Sequence, residues 1–169
     1  MTAKTDKNAI ESEVLAFPDG FLSLILGTSD AEGLPLASYA PFVRGDSGCF
    51  WIYVSELAGH TGNLATNPKA SILFIENEAD SANLFARKRL TLTCEVSEIE
   101  RGKPEFDVIL DRFSARHGAI MDVLRPLQDF HLFALQPFKA SYVRGFAQAY
   151  ELHGETLNRI RPRTDRGHR

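Results

Sequence analysis

The stretch FLSLILGTS (21–29) constrains the fold most, because its apolar residues do not keep to one side. A strand with one wet face alternates apolar and polar positions, whereas FLSLILG sends apolar side chains both ways and calls for cover on both faces. The residues around it read as more strands with turns between them. DAEG (30–33) supplies turn chemistry, with Gly33 free to take a positive φ. LPLASYAPFVR (34–44) returns as a strand, and Pro35 and Pro41 confine it to an edge or a bulge. A second turn, GDSG (45–48), leads into the aromatic and β-branched CFWIYVS (49–55).

The pattern then changes period. ELAGHTGNLATNP (56–68) has Leu57, His60 and Leu64 on one helical face and ends before Pro68. KASILFIE (69–76) is a fourth strand, and 77–89 reads as a loop or short helix. In RLTLTCEVSEIE (89–100), Leu90, Leu92 and Cys94 alternate with Thr91, Thr93 and Glu95. PEFDVILDRFSARHGAIMDVLRPL (104–127) is helical, with Pro104 suited to a first turn. DFHLFALQP (129–137) and ASYVRGFAQAYEL (140–152) read as two further strands. At the other end, AIESEVLAF (9–17) has Ile10, Val14 and Phe17 at helical spacing and is stopped by Pro18-Asp19-Gly20.

Short antiparallel strands, one inserted helix, a helical pair and a closing hairpin predict a mainly β chain with flanking helices, built as a small closed barrel. The rival is an open α+β sandwich; the two-faced strands favour closure. At 169 residues and 44% hydrophobic, one domain with a single core is expected. That domain spans 1–154. After Gly154 the periodicity gives out, and 155–169 reads as a basic tail carrying Arg159, Arg161, Arg163, Arg166 and Arg169.

A net charge of −3 argues against a nucleic-acid partner. Cys49 and Cys94 make no metal-binding spacing and sit in apolar strands, which predicts buried free thiols and fits a reducing compartment. The first residues are charged with no apolar core of a signal peptide, and no apolar run approaches the roughly 18 residues that span a bilayer. The expectation is a cytoplasmic protein without a membrane segment. No nucleophile triad, phosphate-binding glycine loop, dinucleotide fingerprint or zinc cluster is present.

Several stretches carry a resemblance: SYAPFV (38–43), HTGNLATNPKASILFIE (60–76), LFARKRLTLTCEV (84–96), LQDFHLFALQP (127–137), VRGFAQAY (143–150) and the terminal GHR (167–169). NPKAS is common to the wider superfamily, while FARKRLT, LQDFHLF and GFAQAY are more specific. Together they resemble haem-utilisation proteins of the HugZ/HutZ type, a branch of the pyridoxamine-phosphate-oxidase-like, FMN-binding split-barrel superfamily. The resemblance implies a split-barrel homodimer with its ligand in the groove between subunits. It implies haem as that ligand, with dioxygen and an electron donor opening the macrocycle and freeing iron for use. FMN is the alternative cofactor, and a haem carrier without activity is the other alternative.

The resemblance also assigns residues. His168 matches an axial haem ligand, chemically sensible because imidazole is a standard proximal donor. Arg166 and its neighbours suit the propionates. Arg89, in ARKR, matches a basic position near the haem, with Arg87 beside it. Asp129 and His60 match positions paired across the dimer interface, where the carboxylate would fix the tautomer of a histidine, either His60 or the ligand His168 itself, and Arg89 and Asp129 are the catalytic candidates that would set ligand strength and distal polarity. By residue type alone, Asp129 reads equally as a turn residue, His60 as a helix residue packed on the barrel, and Arg89 as a charge on an edge strand. In the flavin branch Ser-Arg-Lys meets the FMN phosphate, whereas the corresponding place here reads Ala58-Gly59-His60. Two cations and a hydroxyl are missing from a site that depends on charge-assisted bonds.

Overall fold

A computed structural model describes residues 7–154, 157 and 159–163. Helix α1 (Lys7–Ala16) buries Ile10 and Val14, one turn apart, and gives way to a 3-10 turn (Phe17–Gly20) that opens with Pro18. Strand β1 (Ser23–Ser29) pairs antiparallel with β2 (Pro35–Arg44) from Ser23↔Pro41 to Ser29↔Pro35. Between them Asp30 accepts from the backbone N–H groups of Glu32 and Leu34 at 3.0 and 2.7 Å, and Gly33 takes φ +86°. That carboxylate-anchored turn is why DAEG reverses the chain.

The remaining elements are β3 (Phe50–Ser55), α2 (Gly59–Thr66), β4 (Lys69–Ile75), β5 (Arg89–Ile99), α3 (Pro104–His117), α4 (Ile120–Leu124), β6 (Phe130–Gly145), β7 (Gln148–His153) and β8 (Arg159–Pro162). Hydrogen bonding runs β3-β2-β1-β4-β5-β6-β7-β8, and β3 also pairs with β6 from Phe50↔Leu135 to Ser55↔Phe130. This last pairing closes six strands into a barrel and rules out the open sandwich. β7 and β8 continue the sheet beyond β6. Pro41 lies where β2 leaves β1 and takes up β3, so its missing N–H breaks no ladder bond on the β3 side.

Three expectations are corrected. The strands expected at 129–137 and 140–152 divide differently, because β6 runs unbroken across Pro137. The register against β5 slips there, from Thr93↔Lys139 to Cys94↔Pro137, so Phe138 bulges out instead of ending the strand. The actual reversal falls after Gly145, with Ala147 at φ 58°, a conformation for which alanine carries no sequence signal. Second, Leu57 stands outside α2 and is 94% exposed, so it does not share a face with His60 and Leu64. Third, the expected boundary after 154 cuts through the sheet. Arg159–Pro162 pairs with β7, and Leu157 and Ile160 are buried in the barrel core.

The barrel interior is filled by inward residues such as Leu24, Leu26, Phe42, Ile72, Leu92 and Leu135, with Ile10 and Val14 of α1 sealing one end. Phe17 packs edge-on against Tyr142 and Phe21 packs at a tilt against Phe74 at that seal. Outside the barrel, α3 lays Phe106, Ile109, Leu110 and Phe113 over Val43, Tyr53 and Leu132. Their spacing is that of one helical stripe, and each buried side chain contributes about 1.5–3 kcal/mol. Among the described residues the outer wall of β1 and β2 has no such cover: Ile25 and its cross-strand neighbour Tyr39 are 43% and 69% exposed. The second apolar face of FLSLILG is therefore left open by the described residues. Both thiols are buried and free, as expected.

Candidate functional site

Helix α2 is pulled against the barrel by polar bonds. Thr61 donates its hydroxyl to the Ser55 carbonyl at 2.6 Å, Asn63 donates to Thr28 Oγ1 at 3.0 Å, and Asn67 donates to Ser29 Oγ at 2.8 Å. Gly59 permits the fit, since a Cβ there would come within 3.2 Å of Leu36 Cδ2. This places His60 on β2. Its ring is buried, with Nδ1 3.0 Å from Ser38 Oγ and Nε2 without a hydrogen-bond partner among the described residues. Burial holds its pKa below that of an ordinary imidazole.

The three basic residues before β5 have different fates. Arg87 folds back, donating through Nε and Nη2 to the Glu76 carbonyl and facing Glu78 at 3.5 Å. Lys88 pairs with Glu13 at 3.2 Å. Arg89 stands between Ile75 and Val143 in the register and donates to the Arg87 carbonyl at 3.1 Å. Among the described residues no carboxylate lies within salt-bridge distance of Arg89, so its charge is available to an anion.

Asp129 sits just before β6 and is held inside its own chain. Its Oδ2 accepts from Ser55 Oγ at 3.0 Å, and its carbonyl accepts from Glu56 N at 2.8 Å. His60 and Asp129 thus have separate partners, Ser38 and Ser55, within one chain. His168 and Arg166 lie outside the described residues. Among those described, no group of three or more His, Cys, Asp or Glu side chains is placed to hold a metal ion. No described helix is long and apolar enough to cross a membrane.

Sequence reasoning missed the serines. Ser38 and Ser55 are 22 and 74 residues from the groups they hold, and a serine in a strand carries no local mark of a distant partner. It also passed over His131, whose Nδ1 and Nε2 lie 2.6 and 2.8 Å from Glu98 and Glu56. Where the flavin branch carries Ser-Arg-Lys, α2 contains no Lys or Arg, Arg87 and Lys88 are engaged by carboxylates and a carbonyl, and Arg89 keeps its charge without a carboxylate partner among the described residues.

A barrel closed by β3 and β6, extended by β7, with a polar joint at α2 and an open wall alongside, defines a split-barrel protein. The chain belongs to the pyridoxamine 5'-phosphate oxidase family, whose profile matches residues 10–144. It is 43% identical to heme oxygenase HutZ of Vibrio cholerae over 148 residues, covering 88% of this chain and 84% of that protein. A crystal structure of HutZ, described as a haem storage protein, superposes with TM-score 0.70 at 42% identity, covering 75% of this chain and 89% of that one. ChuZ of Campylobacter jejuni superposes with TM-score 0.81 at 36% identity, covering 90% of this chain and 62% of that one.

Proposed function

We propose that this protein binds haem as its substrate in a groove between two copies of the chain, and opens the porphyrin ring to release iron. The observation that carries the reading is the extended similarity to HutZ, a protein named as a haem oxygenase. Haem iron supplies the oxygen chemistry once dioxygen and an electron donor are present. The chain's own residues bind and orient the substrate. His168 is the axial ligand, Arg166 and Arg89 meet the propionates, and Asp129 of one copy approaches His60 of the other. The exposed Ile25–Tyr39 wall supports the dimer, because contiguous apolar surface on a soluble domain marks an interface. Arg87 is occupied by Glu76 and Glu78, so it shapes the turn and leaves anion contact to Arg89.

The test is to add hemin to the purified protein, then ascorbate in air, and record visible spectra. A Soret band that forms and then decays, with both events lost in His168→Ala, is the expected result. A second reading, a haem carrier, takes support from the description of HutZ as a storage protein. It predicts a Soret band that forms and persists under the same reductant. No Soret band at all, or an unchanged spectrum in His168→Ala, sinks the assignment.

A further inference from the structure

Ser38 Oγ touches two groups. The Leu26 carbonyl oxygen lies 3.3 Å away and can only accept a hydrogen bond. His60 Nδ1 lies 3.0 Å away and donates or accepts according to its tautomer. A hydroxyl has a single proton. If it points at Leu26, both contacts are hydrogen bonds, provided that Nδ1 carries the imidazole proton and gives it to Oγ. If it points at Nδ1, the contact with Leu26 has no proton between its oxygens, and a buried Nε2–H is left unmatched. The first arrangement satisfies every proton that is present. We infer that Ser38 fixes the His60 proton on Nδ1 and leaves Nε2 as a bare acceptor, so that Ser38 is the positioning residue that decides what docks on this histidine.

The rest of the site agrees. His60 is only 8% exposed, and Nε2 is the one buried side-chain polar atom without a partner among the described residues. An orphan of this kind in an otherwise satisfied joint marks a place where something arrives. With a lone pair on Nε2, the arriving group has to be a hydrogen-bond donor: a hydroxyl, an N–H, or a carboxyl that brings its proton. A bare carboxylate is repelled unless the pair takes up a proton on docking. If Asp129 of a second copy is the visitor, as in the reading above on which this consequence rests, one proton lies between the two side chains. The second Ser38 bond, to Leu26 of the neighbouring strand, keeps the hydroxyl aimed by making it part of the β1–β2 ladder.

The tautomer is read directly from two-bond proton–nitrogen correlations of the full chain with labelled histidine, without haem and at pH 8.5. We expect a protonated Nδ1 and an unprotonated Nε2 for His60. In Ser38→Ala the His60 proton should move to Nε2, and Ser38→Thr, which keeps the hydroxyl, should restore Nδ1. A protonated Nε2 in the wild type, or a tautomer unmoved by Ser38→Ala, overturns the inference. Because the spectrum contains no haem, failure of the haem assignment leaves this result standing, and the reverse also holds.

Discussion

Ser55 donates its hydroxyl proton to Asp129 Oδ2 at 3.0 Å across 74 residues of sequence. The same serine's carbonyl accepts from Thr61 at 2.6 Å, so one residue joins the end of β3, the first turn of α2 and the start of β6. Removing the hydroxyl in Ser55→Ala should destabilise the fold by about 1 kcal/mol, the net worth of one such bond. In a double-mutant cycle with Asp129→Ala, the pair should show a coupling of at least about 0.5 kcal/mol, measured by urea unfolding. Strict additivity would mean that the bond contributes nothing.

His131 provides a pH signature. Its pKa is raised, first by the hydrogen bond to Glu98 and then by that to Glu56, with partial burial opposing. A base with a raised folded-state pKa contributes its stability in full below the unfolded value of about 6.5 and loses it as pH rises through the folded value. The difference in unfolding free energy between wild type and His131→Gln should therefore shrink from pH 6 to pH 9. The effect should stay near 1 kcal/mol or below, since solvent screens the exposed Glu56. A difference that grows with pH contradicts the assignment.

Gly45 is required by its neighbour. A Cβ at this position would stand 2.7 Å from Trp51 Cη2, and Arg112 lies over the indole, 5.5 Å from the ring centroid. Gly45→Ala should cost about 1–3 kcal/mol through overpacking, with a shift in the emission of the protein's single tryptophan. An unchanged melting temperature would show that the ring moves freely.

Burial pushes the Cys49 thiol up to about 11, and burial together with the nearby Cys49 raises Cys94 as well. At pH 8 neither forms appreciable thiolate, the reactive species. The folded protein should consume no thiol reagent on the minute timescale, and both cysteines should react in urea. Fast modification of the native chain would contradict their burial.

Arg89 and Arg87 should separate cleanly. If Arg89 meets a haem propionate, Arg89→Ala should weaken hemin binding about tenfold, the equivalent of one charge-assisted bond of roughly 1.4 kcal/mol. Arg87→Ala should leave hemin affinity alone and lower the melting temperature, because its bonds brace the turn before β5. The opposite pattern in a hemin titration would exchange the two roles.

Much of the fold was legible in residue type. The stripe Phe106, Ile109, Leu110 and Phe113, the alternation of Leu90, Leu92 and Cys94, and the Asp30–Gly33 turn are local patterns, and local patterns are written in neighbouring side chains. His60, Arg89 and Asp129 were nameable as residues, but their partners were not. Closure of β3 onto β6, the passage of β6 through Pro137, the turn at Ala147 and the strand at Arg159–Pro162 rest on backbone ladders, whose bonds are the same for nearly every residue type. The sequence alone thus determined where most of the strands and helices lie and which of their faces are apolar. Only the tertiary structure decided which strands meet, that the described residues leave the outer face of β1 open, and that Ser38 and Ser55 hold His60 and Asp129, because those contacts join residues that no short-range pattern links.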